Sequence, residues 1–363
     1  MPIAIVYIEE KLEEGEEDIT IDILSRFLIT SLRMKKLNSI ADVPGIRVGH
    51  ASDFNALTGC TVILCEGGAV GAVDIRGTAA GTRQIDPLTH LHLVDKVQAI
   101  LLSGGSAFGL DAAAGVMAYL EERKKGFDVG KTKIPHVPTA VIFDFGMGNF
   151  RVRPDRDMGY QACLNASKKV AEGSVGVGTG ATVGNLFGIE RAMKGGVGTS
   201  SIQGPHGLVV GALVVVNAFG DVLDPISHKI LAGARKSKRK VQMADSAKWM
   251  KRGVTPKRFG ESRTSNPDAF NTTLGVIATN AHLTKKEAHQ VAQIAHSGLA
   301  KVISPLHTTF DGDVLFSLSC GKRRADVNTL GLLGEEALID SVERAVTKAE
   351  GFGIVPAHQD IVS

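Results

Sequence analysis

One stretch of the chain, residues 271–280, combines the pattern of a buried β-strand with an abrupt polar start. Its apolar and β-branched residues, and its length, are typical of a strand in a protein core. A long polar and basic segment, residues 232–270, comes directly before it. Two interpretations are open: Thr272 is an ordinary strand residue, or the chain is cut between Asn271 and Thr272.

A cut would leave Thr272 with a free α-amine beside its own hydroxyl, so one residue would supply both a base and a nucleophile. This is the arrangement used by Thr-N-terminus hydrolases. The basic segment is interpreted as a solvated, partly mobile linker and not as a nucleic-acid tail, because aromatic residues are sparse in it. A mobile segment that ends at Asn271 is compatible with a processing site.

Composition narrows the class of protein. The chain has 363 residues, 44% of them hydrophobic, which is enough for a large core. A net charge of +3 and an aromatic content of 5% argue against a nucleic-acid-binding surface. No apolar run is long enough to span a membrane, and no signal peptide is recognisable. We therefore predict a cytoplasmic protein.

Cysteine spacing gives no sign of a metal site. The four cysteines, at 60, 65, 163 and 320, form no CxxC pair, so free thiols in a reducing compartment are predicted. We predict neither a metal nor a cofactor. Residues 1–38 carry clustered charge without a strand pattern, and we predict an N-terminal extension there, with Met34 as a possible alternative start.

Two Gly-rich segments follow apolar runs. Residues 103–109 lie between a predicted strand and a helix over about 110–125, where a loop either binds an anion or only allows close packing; both remain open. Residues 176–184 do not have the spacing of a nucleotide-binding loop, and their backbone suits the wall of a substrate pocket. The predicted substrate-binding residues are Gly104, Ser106, Gly178, Thr179, Gly180 and Asp144, the last an acid at a strand end.

Further polar residues stand at the ends of predicted strands. Asn217 ends a long buried strand, where an Asn either forms a turn or directs its amide N–H at an oxyanion. Asp311 and Asp313 precede another strand, and alternation points both to the same side of it.

A helix is predicted to follow the strand at 271–280. Thr284 and Glu287 form the signature of a capping box, which opens a helix that we expect to reach about Val302. His289 and His296 share one face of that helix but lie two turns apart, so polar packing is favoured over a joint metal site.

Six motifs together resemble the DmpA/BapA family of aminopeptidases. The matching segments are residues 41–50, 103–110, 176–184, 194–199, 271–274 and 310–313. The resemblance covers most of the chain beyond the extension. It implies one α/β domain over residues 39–363, built as a four-layer αββα sandwich like those of the N-terminal-nucleophile hydrolases and ornithine acetyltransferases.

The resemblance also implies residue roles. Asn271 and Thr272 match the cleavage site, Thr272 the nucleophile and Asn217 the oxyanion residue. Asp311 and Asp313 stand where characterised members have a Ser and a Glu that hold the nucleophile's amine. Those members have Gly-Ser at the cut, so this chain is closer to an Asn-Thr branch.

For the activity, the resemblance implies an aminopeptidase or amidohydrolase that releases N-terminal residues from small peptides, amides or esters, and a homo-oligomer, specifically a tetramer. Two alternatives remain. An acyltransferase of the ornithine acetyltransferase type also self-cleaves before a Thr, but its signature before the nucleophile is absent here. A catalytically silent binding protein on the same fold would stay uncut.

Overall fold

The computed structural model describes residues 35–238, 242–255 and 271–362. Most of the predicted extension, and parts of the basic segment at 239–241 and 256–270, lie outside the described residues. The chain divides into two units between Lys36 and Leu37. Of the first unit only the short strand β1 is described, and all features below belong to the second unit, Leu37–Ser363.

The strands of the described residues are β1 Lys35–Lys36, β2 Arg47–Asp53, β3 Thr58–Gly77, β4 Gly81–Arg83, β5 Lys96–Ser103, β6 Phe127–Asp128, β7 Lys133–Ile134, β8 Thr139–Val141, β9 Thr182–Val183, β10 Met193–Lys194, β11 Gly196–Gln203, β12 Val209–Asn217, β13 Asp221–Leu223, β14 Ile230–Ala232, β15 Thr272–Ala281, β16 Ile303–Ser304 and β17 Gly312–Arg323. The helices are α1 Ala112–Glu122, α2 Arg156–Leu164, α3 Ser246–Lys251, α4 Lys285–His296, α5 Leu299–Val302, α6 Val327–Thr347 and α7 Gln359–Val362.

The long strand β3 belongs to two layers of β-structure. Its second half pairs with β17 in a layer ordered β11-β12-β15-β17-β3. Its first half pairs with β2 and β5 in a layer that continues to β8 and β4. The pairing of β15 with β17 is parallel, whereas β15 pairs with β12 in the antiparallel sense.

Period-2 alternation along these strands creates three apolar cores. On β12, Leu213 and Val215 point into the core between the two sheet layers, together with Leu274 and Val276 of β15. The residues of β12 in between, such as Val214, pack under α4 and α6. On the other layer, the outward residues of β3 and β5 pack under α1 and α2. The order helix, sheet, sheet, helix confirms the predicted αββα sandwich.

Helix α4 begins as the sequence predicts, with a capping box between Thr284 and Glu287. It ends at His296, earlier than the predicted Val302, and the chain resumes as the short helix α5. Between them Gly298 passes so close to α6 that a Cβ there would lie 2.7 Å from Glu335 Cγ. His289 Nδ1 lies 2.9 Å from the Val73 carbonyl oxygen, which is polar packing against β3, as predicted.

Other sequence expectations concern thiols, metals and membranes. All four cysteines are free as predicted; Cys320 is half-buried and the other three are buried. Within the described ranges, no three or more His, Cys, Asp or Glu side chains are grouped as metal ligands. No helix in that part of the chain is both long and apolar enough to cross a membrane.

The contact of β11 with α6 gives a test of the layered packing. A Cβ at Gly198 of β11 would lie 1.9 Å from the carbonyl oxygen of Ser341, which belongs to the helix backbone. Because helix and strand would have to separate, Gly198→Ala is expected to reduce the free energy of unfolding by about 1–3 kcal/mol. Thermal unfolding followed by circular dichroism measures the loss.

The matched control for this variant is Gly67→Ala, since a Cβ at Gly67 meets nothing within 4 Å. Its melting temperature should stay close to that of the wild type. Equal melting temperatures for the Gly198 and Gly67 variants would contradict the close packing of α6 on β11.

Candidate active site

The first residue of β15 lies at a sheet edge where neighbouring strands also begin or end. Thr272 is directly opposite Asn217, the last residue of β12. On the other side, β17 runs parallel to β15, and Asp313 Oδ1 accepts a 2.7 Å hydrogen bond from the Thr273 backbone N–H. Strand pairing thus brings Thr272, Asn217 and Asp313 together, although 96 residues separate Asn217 from Asp313.

The peptide bond between Asn271 and Thr272 is held from both sides. Thr272 Oγ1 donates a 2.6 Å hydrogen bond to the Asn271 carbonyl oxygen. The same oxygen accepts a 3.0 Å bond from the Gly312 N–H. Both residues are buried. Two donors on one carbonyl polarise it, and one of them is the hydroxyl that would attack it.

Asn271 itself is fixed by its neighbours. Its backbone N–H donates to the Phe310 carbonyl at 3.0 Å, and its side-chain Oδ1 accepts a 2.7 Å bond from Asn185 Nδ2. Its own Nδ2 is buried and has no hydrogen-bond partner among the described residues. The residue before the predicted cut is therefore held through both its backbone N–H and its side-chain oxygen.

Asn217 presents an oriented amide. Its Oδ1 accepts a 2.9 Å hydrogen bond from the Thr182 N–H, and its Nδ2 donates to the Phe143 carbonyl at 3.2 Å. Since Oδ1 is engaged with a backbone donor, the N–H end is fixed on the side of Phe143. One N–H of this amide is thus used by the Phe143 carbonyl, and an oxyanion would have to be bound by the other.

Asp311 and Asp313 are both buried, and they interact with different partners. Asp311 accepts hydrogen bonds from the Thr308 N–H at 2.9 Å and the Thr308 hydroxyl at 2.6 Å. Burial, and then the charge of Asp313, raise the pKa of Asp311 to about 7. Two neighbouring buried carboxylates disfavour carrying two charges at once, which is why the charge of Asp313 adds to the shift of Asp311.

Next to Thr272 lies a cavity of about 280 Å³. Its lining is uncharged and consists of Ala79, Gly81, Ser106, Ala107, Val141, Ile142, Phe143 and Thr272. Ser106 follows a left-handed Gly105 and itself has a φ of 51°, a conformation uncommon for Ser. The tight turn of the predicted loop at 103–109 thus places Ser106 on the wall of the cavity.

Asp144 lies behind that loop. It accepts hydrogen bonds from the Thr58 hydroxyl at 2.7 Å and the Gly105 N–H at 2.8 Å, and burial raises its pKa to about 6. A Cβ at Gly104 would come within 2.2 Å of Asp144 Oδ2, so Gly104 permits this close approach. A small space of about 10 Å³ is lined by Asp144, Gly180 and Asn271 among others.

Not all the predicted substrate-binding residues reach a cavity. Ser106 lines the larger one, and Asp144 and Gly180 line the smaller one. Thr179 is buried and donates its hydroxyl to the Gly176 carbonyl at 2.7 Å. Gly178 is buried as well, and its carbonyl accepts a hydrogen bond. The structure places Gly104, Gly178 and Thr179 in the packing that supports the site.

The donor to Gly178 is Lys194, a residue that sequence reasoning did not single out. Its side chain is fully buried, and Nζ donates to the carbonyls of Gly178 at 2.7 Å, Ala181 at 2.9 Å and Gly195 at 3.1 Å. Burial lowers its pKa to about 7, although the charge of Asp144 opposes this shift. Lys194 ties together the segment that supplies Thr182, the partner of Asn217.

The sequence analysis did not identify Asn185 or His307 either. A single Lys within the Gly-rich run at 194–199 was a signal that could have identified Lys194. Asn185 carried no such signal, because its role depends on its contact with Asn271. His307 lies six residues before Asp313, and its Nδ1 is 2.7 Å from Asp313 Oδ2.

Comparison with known proteins gives independent evidence. The model of peptidase family S58 matches residues 38–357. An uncharacterized aminopeptidase of Mycobacterium tuberculosis is 38% identical over 348 residues, which cover 90% of this chain and 98% of that protein. A 6-aminohexanoate-oligomer endohydrolase of Kocuria sp. is 30% identical over 318 residues, which cover 84% of each chain.

Among solved structures, the fold is similar to that of the L-aminopeptidase D-Ala-esterase/amidase of Ochrobactrum anthropi, described as a variant of the Ntn hydrolase fold. The TM-score is 0.63 at 18% identity, and the match covers 89% of this chain and 92% of the other. This likeness supports the fold alone, while the family model and the relatives carry the assignment. The predicted resemblance is thereby confirmed: this chain belongs to peptidase family S58, and it is a hydrolase.

Proposed function

We propose that the protein is a self-processing amidohydrolase in which Thr272 first cuts the chain and then serves as the nucleophile for substrates. The observation that carries this proposal is the 2.6 Å hydrogen bond from Thr272 Oγ1 to the Asn271 carbonyl oxygen. The hydroxyl needs only a small shift to reach the carbonyl carbon of the bond that precedes it.

In the processing step, Oγ1 of Thr272 attacks the carbonyl carbon of Asn271 and the C–N bond breaks. The hydroxyl proton passes to the nitrogen, which becomes the free amine of Thr272. Water then hydrolyses the ester between Asn271 and Thr272, leaving a carboxylate on Asn271. The Gly312 N–H, already on the Asn271 carbonyl oxygen, would stabilise the oxyanion of this step.

In the turnover step, the new α-amine acts as base for the Thr272 hydroxyl. Its pKa in the absence of neighbouring charges is roughly 7.7–8, so part of it is neutral near pH 7. Attack on a substrate amide forms an ester on Thr272 and releases the substrate amine, which takes the proton. Water then frees the acid. Asn217 Nδ2 is the proposed oxyanion donor, an interaction worth on the order of 3 kcal/mol.

The substrate class follows from the cavity and from the relatives. Because the 280 Å³ cavity beside Thr272 has no charged lining residue, it suits an uncharged aliphatic acyl portion. The relatives named aminopeptidase and 6-aminohexanoate-oligomer endohydrolase both cleave amide bonds by name. We infer small peptides or amides as substrates. The cytoplasmic location and the homotetramer stay predictions.

The processing step can be tested by intact mass. The wild type should consist of pieces of 271 and 92 residues (363 − 271 = 92), apart from any loss at the N-terminus. Thr272→Ala, which lacks the nucleophile, should remain one chain. Thr273→Val is the control, since Thr273 Oγ1 is buried without a hydrogen-bond partner in the described part of the chain, and this variant should still be cut. A wild type that stays whole, or a cut Thr272→Ala, would refute self-processing.

The two acids should affect turnover differently. A carboxylate near the Thr272 amine favours the ammonium form and raises the pKa of the amine, so its removal lowers that pKa. Asp313→Asn is therefore expected to move the rise of activity with pH to lower pH. It should also reduce turnover about 100-fold, because a neutral amide holds the Thr272 amine less firmly than a carboxylate does. Asp311→Asn should act more weakly, because with a pKa of about 7 this acid is already half protonated at neutral pH.

The control is Asp326→Asn. Asp326 caps α6 by accepting a 2.8 Å bond from the Thr329 N–H, far from Thr272 in the fold. It should lower the melting temperature and leave the pH profile unchanged. Profiles are measured on folded, cleaved protein. If Asp313→Asn behaved like this capping variant, Asp313 would be structural only.

A further inference from the structure

His307 lies beside the acid that holds the start of β15. Its Nδ1 is 2.7 Å from Asp313 Oδ2, while Oδ1 of the same carboxylate accepts the Thr273 N–H at 2.7 Å. Asp313 is completely buried, and no other donor to its carboxylate is found among the described residues. The two oxygens of Asp313 are therefore divided between the nucleophile strand and one imidazole.

The orientation of His307 is fixed from behind. Its ring meets the ring of His296 edge to face, with centroids 4.9 Å apart and planes at 89°. His296 is fully buried on α4, and its Nδ1 lies 2.8 Å from Asp74 Oδ2. Arg76 Nε donates to the same Asp74 oxygen at 2.8 Å. A continuous series of contacts thus runs from Arg76 on β3 to Asp313 on β17.

The backbone at His307 is also unusual. Its φ is 53°, in the left-handed region that residues with a side chain rarely adopt. The side chain is only 22% exposed. This backbone conformation presents the imidazole to a buried carboxylate at a position where Gly would meet less strain.

The charged groups around Asp313 indicate which of them can interact with its carboxylate. Burial lowers the pKa of His296, so this ring is neutral at physiological pH and donates Nδ1–H to Asp74. The charged or titratable groups around Asp313 are then Asp311 beside it, Arg76 opposite it on β3, and His307. Arg76 is paired with Asp74. Among these groups, His307 is the one whose side chain lies within hydrogen-bond distance of Asp313 Oδ2.

We propose that His307 is a positioning residue that acts through Asp313: its Nδ1–H keeps Asp313 charged and aimed at the start of β15. This proposal rests on the proposed function, because the strand start matters only if Thr272 is the nucleophile. Within the described ranges, His307 makes no hydrogen bond to Thr272 or to the Asn271 carbonyl.

Two substitutions distinguish the effect of the hydrogen bond from the effect of the side-chain bulk. His307→Asn keeps an N–H donor near the position of Nδ1, whereas His307→Leu keeps bulk and removes the donor. The Leu variant should slow both chain cleavage and turnover about 10- to 100-fold at pH 6–7. Because Asp313 carries its charge less readily without this donor, the pKa of the Thr272 amine falls and the rise of activity should move to lower pH, as in Asp313→Asn. The Asn variant should return to within a few fold of wild type.

The control is His289→Leu on the same helix as His296. His289 is exposed, and its Nδ1 lies 2.9 Å from the Val73 carbonyl oxygen, away from Asp313, so rate and pH profile should match the wild type. Cleavage is followed by intact mass, and turnover with a chromogenic aminoacyl anilide that the wild type hydrolyses. A folded His307→Leu with the wild-type rate and profile overturns the proposal. The proposal is also overturned if His307→Asn is no more active than His307→Leu while both variants have the melting temperature of the wild type.

A measurement on the unmodified protein covers the case in which His307→Leu does not fold. In ¹⁵N-histidine-labelled wild type, NMR should find a proton on Nδ1 of His307, assigned by its loss in His307→Asn. A bare Nδ1, with the proton on Nε2, overturns the proposal, because Asp313 would then be the donor. If the wild type is neither cut nor active, the proposed function fails, and this measurement still decides whether His307 holds Asp313 charged.

Discussion

The site depends on the position of β15 between an antiparallel and a parallel neighbour. Antiparallel pairing brings the end of β12, at Asn217, opposite Thr272, and parallel pairing brings the start of β17 to the same edge. The end of β3 at Gly77 meets β17 at Gly312 and completes this edge. Hydrogen-bond register alone therefore gathers a hydroxyl, an amide and two carboxylates around one peptide bond.

Keeping these groups buried requires that each one be satisfied by a partner. An isolated charge in an apolar interior is costly, so a buried acid either finds donors or takes up a proton. Asp144 and Asp311 have their pKa raised to about 6 and about 7, and that of Lys194 is lowered to about 7. Burial thus moves the pKa values of all three groups towards neutral pH.

The sequence alone predicted much of this arrangement. The apolar strand at 271–280 identified β15, and polar residues at strand ends pointed to Asn217, Asp311 and Asp313. The αββα sandwich came from the family resemblance. Local patterns could not reveal Asn185 or His307, because each depends on a contact that only strand register and loop path create, whereas the single Lys in the Gly-rich run at 194–199 was a usable signal for Lys194. Likewise, no pattern distinguished Ser106 on a cavity wall from Thr179 in the supporting packing.

The central claim is that the Thr272 hydroxyl is the nucleophile that becomes acylated. The most direct measurement is mass spectrometry of the protein quenched in acid during hydrolysis of an activated ester, followed by peptide mapping. The account predicts a fragment that begins at Thr272 and carries the acyl group on this residue, whereas the fragment that ends at Asn271 carries none. Rapid hydrolysis with an acyl group on another side chain would contradict it.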